Sequence, residues 1–210
     1  MSRNPPTCTV TKTISYETLL GEAQWQKLHP AIRKRFSAEA CNRAVVYEGV
    51  MHEVKLSFAG KLLAQACRII GTPLALYAGK NVPTTVRVYP NLKLNGMTWD
   101  RFYRYVDKPC NRVRSTKCIR EGSGLMELVG MGFGMQLKLY EDKGALCFES
   151  TRFFCQMGKI RIPIPDLITP GKTVVAQRAL DDEHFEFSLH VTHQWLGKVF
   201  EQIGTFKEGA

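Results

Sequence analysis

The chain has 210 residues, 44% hydrophobic and 23% charged, enough to bury roughly 70% of its unfolded surface and too apolar for wholesale disorder. No stretch approaches the ~18 apolar residues of a spanning helix, and MSRNPPTCTVTK lacks an apolar run behind Arg3. A transmembrane helix and a secretory signal are therefore not expected, and the chain reads as cytoplasmic. The net charge of +10 raises polyanion binding, but the basic residues are spread along the chain and form no low-complexity tail.

Seven cysteines, Cys8, Cys41, Cys67, Cys110, Cys118, Cys147 and Cys155, are an odd number with no C-x-x-C pair. Reduced thiols, packed as small apolar groups, are expected.

No linker or repeat divides the sequence, so residues 1–14 read as a flexible N-terminal segment and 15–207 as a single domain. Ser15 is placed to cap a helix over YETLLGEAQWQKL, with Tyr16, Leu19, Leu20, Ala23 and Leu28 on one face and Pro30 ending it. A short basic helical turn, AIRKRF, follows. RAVVYEGVMHEVKL then reads as a strand or a bent strand pair around Gly49. SFAGKLLAQACRII is the clearest helix: Ser57 caps it, Leu62, Leu63, Ala66, Ile69 and Ile70 form an apolar stripe, and Gly71 and Pro73 stop it.

From Val82 the hydrophobic period becomes two. TTVRVYP, TWDRFYRYV, RVRSTKCI, LMELVG, GMQLKLY, ALCFESTRFFC, KIRIPI, TVVAQRAL and HFEFSLHVT are short runs separated by turn signals, which predicts sequential antiparallel strands. Phe133, Met135, Leu137 and Leu139 share one face, as do Phe185, Phe187, Leu189 and Val191, so the other face is wet. In GKIRIPIPDLITPG, Ile160, Ile162 and Ile164 alternate with Lys159, Arg161, Pro163 and Pro165. Proline cannot donate to a ladder, so this segment is expected at an edge, with its isoleucines inward.

These elements predict an α+β fold: a curved antiparallel β-sheet or partial barrel of about seven to nine strands, packed by two N-terminal helices. Such an arrangement leaves a cavity between sheet and helix, where an apolar or amphipathic small molecule can bind.

The order HPAIRKRF, the capped helix ending GTP, VPTTVRV, WDRFYRY, RVRS, LMELVG, GKIRIPIPDLITP and QWLGKVFEQIGTF resembles the bacterial family called domain of unknown function 4166. The resemblance covers about residues 16 to 207, nearly the whole chain. Its landmarks are Trp99 and Arg101, Ser115, Glu127 to Gly130, and the prolines Pro163, Pro165 and Pro170. HQWLGK departs from the family pattern, in which a proline usually precedes Leu-Leu-Gly. The family also occurs fused to saccharopine-dehydrogenase-like Rossmann domains, so the resemblance implies an accessory, protein-interaction role beside an oxidoreductase as an alternative. No G-x-G-x-x-G opens a helix in this sequence, so no nicotinamide or other cofactor is expected. The resemblance supplies no catalytic residue.

TWDRFYRYVDKPCNRVRSTK carries the most chemistry. On a strand Trp99, Arg101, Tyr103 and Tyr105 share a face, which sets a guanidinium among aromatic rings where it can meet an anionic head group. Pairing of Arg101 with Glu127 inside the fold, or an exposed stacked arginine, are the structural readings. Polyanion binding through these basic strands is a third function. The candidate ligand-binding residues are Trp99, Arg101, Tyr103, Ser115 and Glu127. Of His184, His190 and His193, the first two are about 20 Å apart on a strand and the last two point to opposite faces unless the strand bends, so no metal is expected, and exposed histidines are. No G-x-S-x-G, H-E-x-x-H or P-loop is present, and no catalytic residue is singled out. Cys118, beside Lys117 and Arg120, is either an activated thiol or a core residue. The glycines of VGMGFGMQ fit a bulge or close strand packing.

Overall fold

A computed structural model describes residues 14–68, 74–120, 122–158 and 160–209. Lys159, the stop signals Gly71 and Pro73, the stripe residues Ile69 and Ile70, and nearly all of the N-terminal segment lie outside them. The strands are β1 (Val45–Leu56), β2 (Gly79–Asn91), β3 (Gly96–Tyr103), β4 (Asn111–Arg120), β5 (Gly124–Gly130), β6 (Phe133–Asp142), β7 (Ala145–Met157), β8 (Ile160–Pro163), β9 (Lys172–Ala179), β10 (His184–His193) and β11 (Gly197–Glu208). All their pairings are antiparallel. The order β6-β5-β4-β3-β2-β1-β11-β10-β9-β7 closes on itself through an additional β6–β7 pairing.

The fold is thus a closed barrel of ten strands, with the eleventh, β8, paired to β7 alone. This corrects the expected α+β class and the open sheet or partial barrel of seven to nine strands. The strand missed in the sequence is β11, which bridges β1 and β10. Its buried positions are Val199, Phe200, Gln202, Gly204 and Phe206. A glutamine and a glycine interrupt the apolar alternation, so the period-two signal fades there. Joining β11 to β1 is also a pairing between the two ends of the chain, such as Leu56 with Phe200, which no local pattern encodes.

The helices do not cover a sheet. The expected first helix breaks at Gly21, which adopts φ +83°, into α1 (Tyr16–Leu20) and α2 (Glu22–Trp25), followed by α3 (Pro30–Arg35). Ser15 caps α1 as expected, its hydroxyl accepting from the Thr18 N–H at 3.2 Å. Ala23 is exposed and Trp25 is buried in its stead. Tyr16, Leu20, Trp25, Leu28, Ile32 and Phe36 plug one end of the barrel. Tyr16 stands edge-on to Phe36 and Phe148 at 5.1 and 5.8 Å, a geometry that adds about 0.5–1.5 kcal/mol per pair to area burial.

The other end carries α4 (Phe58–Cys67), capped by Ser57, whose hydroxyl accepts from Gly60 N–H at 3.1 Å. Its buried face is Gly60, Ala64 and Cys67 rather than the leucine stripe. Gly60 sits against β11: a Cβ there would lie 1.9 Å from the Val199 carbonyl oxygen. Small residues let the helix lie close, and Leu62 is turned outward.

β8 is an edge strand, as its prolines required. Ile160 and Ile162 are exposed, however, and only Ile164 turns inward, its N–H donating to Phe153 O at 2.9 Å. A strand outside the closed ring has no core beneath it to bury an isoleucine.

Candidate functional site

Strand alternation aims Trp99, Arg101 and Tyr103 of β3, Val113, Ser115 and Lys117 of β4, and Leu125, Glu127 and Val129 of β5 into the barrel. Register aligns them: Trp99 faces Ser115, Arg101 faces Val113, and Lys117 faces Glu127. Above this layer, towards α4, lies a cavity of about 370 Å³, within the range of small-molecule sites. Its walls include Val113, Val129, Phe133, Met135, Phe153, Ile164, Phe187 and Leu189, with Leu63 and Ala66 of α4 and the segment Ile168–Pro170 at its mouth.

Four of the five sequence-selected residues, Arg101, Tyr103, Ser115 and Glu127, line this cavity. Trp99 does not; it lies buried beneath them. The structural pairing of Arg101 with Glu127 is realised indirectly. Arg101 Nη1 donates to Ser115 Oγ at 3.3 Å, and Ser115 is the guanidinium's one hydrogen-bond partner among the described residues. Glu127 takes Lys117 as its ion-pair partner, Nζ to Oε2 3.2 Å, with both side chains more than nine-tenths buried. The Lys117 ammonium also stands over the rings of Trp99 at 4.4 Å and Phe148 at 5.2 Å, where cation–π attraction offsets part of its lost hydration.

The electrostatics follow from two cations sharing one carboxylate. Burial alone raises the Glu127 carboxyl, but Lys117, Arg101 and hydrogen bonds from Ser115 and Lys117 outweigh it and hold it below its usual range. Burial lowers the Lys117 ammonium, and Glu127 only partly restores it against the repulsion of Arg101. Both directions agree with a net positive site in a low-dielectric interior. Tyr103 is raised by burial and stays a neutral donor, its hydroxyl bonding Gln202 Oε1 at 3.1 Å.

Sequence reading missed Lys117 and Gln202. Lys117 was legible, since it lies two residues from Ser115 and therefore on the same face. Gln202 was hidden with the rest of β11. The basic segment divides between two surfaces: Arg101 and Lys117 point in, whereas Arg112 points out and grips Asp100 with two hydrogen bonds of 2.7 and 2.6 Å.

The histidines do not converge, and no metal-ligating cluster occurs among the described residues. His184 Nδ1 lies 3.0 Å from Asp181 and His190 Nδ1 3.2 Å from Glu201. His193 departs from the expected exposure: it is buried, with Nε2 3.3 Å from Leu167 O and Nδ1 accepting the Trp195 N–H at 3.3 Å. Cys118 is a core residue whose thiol is raised by burial. The glycine run holds a β5–β6 register shift, and Gly134 lies under Phe154, 2.7 Å from where its Cβ would be.

No curated protein and no solved structure matches the chain. The family model described as domain of unknown function (DUF4166) matches residues 28–206, and the chain belongs to that family.

Proposed function

We propose that the barrel binds an amphipathic small molecule whose apolar part fills the cavity and whose anionic group meets Arg101. One observation carries this reading: two buried cations, Arg101 and Lys117, share the carboxylate of Glu127, the one acid lining the cavity among the described residues, beneath apolar walls. An uncompensated charge in such surroundings costs several kcal/mol, and an entering carboxylate or phosphate removes that cost while completing the guanidinium's hydrogen bonds. Closed barrels of moderate strand number are suited to enclosing one ligand.

Native mass spectrometry of purified protein, with titration of a fluorescent fatty acid, tests the reading. Co-purification of an acidic amphiphile, or saturable probe binding that Arg101→Met weakens by at least about tenfold, supports it. Absence of both an extracted ligand and probe binding overturns it.

A further inference from the structure

The mouth of the cavity is apolar where a protein surface is normally polar. On α4, Phe58 is 80% exposed and Leu62 59%; on the 3-10 turn Asp166–Ile168, Ile168 is 70% exposed; on the β10–β11 turn, Trp195 is 69% exposed beside Leu196. These segments meet around one opening. The Ser57 N–H donates to Val199 O at 3.1 Å, which ties α4 to the start of β11, and His193 Nε2 lies 3.3 Å from Leu167 O, which ties the β10–β11 turn to the 3-10 turn. Leu63 and Ile168 line the cavity itself. The fully buried positions of α4 are small, and of its large side chains Phe58 and Leu62 point away while Leu63 meets the cavity, which is not the pattern of a helix serving only the core.

Charge accompanies the apolar rim. Residues 54–68, 164–172 and 193–199 hold Lys55, Lys61, Arg68, Lys172 and Lys198 with Asp166; Lys55, Lys172 and Lys198 pair with Glu53, Glu149 and Glu201 just outside these segments, so the cations of α4, Lys61 and Arg68, carry the excess. No Asp or Glu occurs between Glu53 and Asp100, and Lys61 and Arg68 have no ion-pair partner among the described residues. A ring of exposed Trp, Phe, Leu and Ile edged by Lys and Arg matches the boundary of an anionic bilayer, where rings and aliphatic groups enter the headgroup layer and cations meet lipid phosphates. The wall at β4, β6 and β10 carries Arg112, Lys138 and Glu186 instead.

We propose that this rim docks the barrel, mouth down, on an anionic lipid membrane from which the cavity is loaded. The loading step rests on the amphiphile-binding reading above; the docking stands on the rim alone. The three tryptophans supply the readout, because Trp25 and Trp99 are buried and Trp195 is the exposed one.

The test is flotation of the whole chain with phosphatidylcholine vesicles with and without phosphatidylserine, together with tryptophan emission. The expected result is co-flotation and a blue shift with phosphatidylserine, weakened by salt. Trp195→Ser combined with Phe58→Ser is expected to reduce partitioning about tenfold or more, and Lys61→Glu with Arg68→Glu to reduce it similarly. All four sites are exposed, so thermal unfolding should be unchanged. A protein that stays at the bottom of the gradient with its emission unmoved overturns the proposal. So does vesicle-independent self-association, or capture of a protein partner, that Trp195→Ser abolishes. Fatty-acid binding measured without vesicles separates the two readings: a chain that binds the acid and ignores vesicles loses docking alone, and one that docks without binding the acid loses the cavity reading alone.

Discussion

Lys117 Nζ lies 3.2 Å from Glu127 Oε2, in register across β4 and β5 and shut away from solvent above the Trp99 ring. A second cation, Arg101, reaches the same carboxylate through Ser115. The pair is therefore asymmetric, with the negative charge doubly compensated and the positive charges sharing one counterion.

That asymmetry fixes the response to substitution. Glu127→Gln strands two buried cations and is expected to destabilise by about 3–5 kcal/mol. Lys117→Met leaves Glu127 compensated by Arg101 and should cost about 1 kcal/mol or less. Urea denaturation of both variants checks this, and equal losses contradict the shared-counterion arrangement.

The pH dependence carries the same sign. Glu127 has a folded-state pKa below its unfolded value, so its contribution is complete above the unfolded pKa of about 4.3 and is lost as pH falls through the folded value. Lys117 has a lowered folded-state pKa, so its charging costs stability below that value, and stability recovers as pH rises towards the unfolded value of about 10.4. Thermal unfolding of wild type against Lys117→Met should show the alkaline gain only in wild type.

Arg101→Met separates stability from binding. Removing a cation that only Ser115 satisfies should leave stability within about 1 kcal/mol of wild type or raise it, while acidic amphiphile binding falls. Calorimetry on one preparation, with unfolding and ligand titration in parallel, reads both.

Gly60→Ala tests the seat of α4. With the Val199 oxygen 1.9 Å from the new Cβ and belonging to backbone, the helix must lift, at a cost of about 1–3 kcal/mol. Hydrogen exchange should rise in α4 and at the start of β11 while β3–β5 stay protected.

Burial raises the Cys118 thiol, and the Cys41 and Cys147 thiols are pushed up to about 11. A thiol reagent added to the folded chain should therefore label exposed Cys110 well before these three. Mass mapping after partial labelling checks the order.

Much of the site was legible in the sequence because a strand's side chains alternate whatever it pairs with. Trp99, Arg101 and Tyr103 had to share a face, as did Ser115 and Lys117, and burial of one member carried the others with it. The Ser15 and Ser57 caps were equally local, each a hydroxyl within one turn of its amide partner. The leucine stripe of α4 misled because apolar spacing reports a face, not its partner. Two glycine-dependent approaches were decided by what lies opposite: Gly60 against Val199 and Gly134 under Phe154.

The sequence by itself placed every strand but β11 and determined which side chains travel together along each, since both depend on dihedral preferences and a two-residue period. Tertiary structure decided that the sheet closes. Closure depends on β1 meeting β11 and β6 meeting β7, and through it three strands aimed their inward charges at one point. Only there, with water excluded, does the excess of Arg101 and Lys117 over Glu127 become a site, because a low dielectric makes an unmatched charge felt.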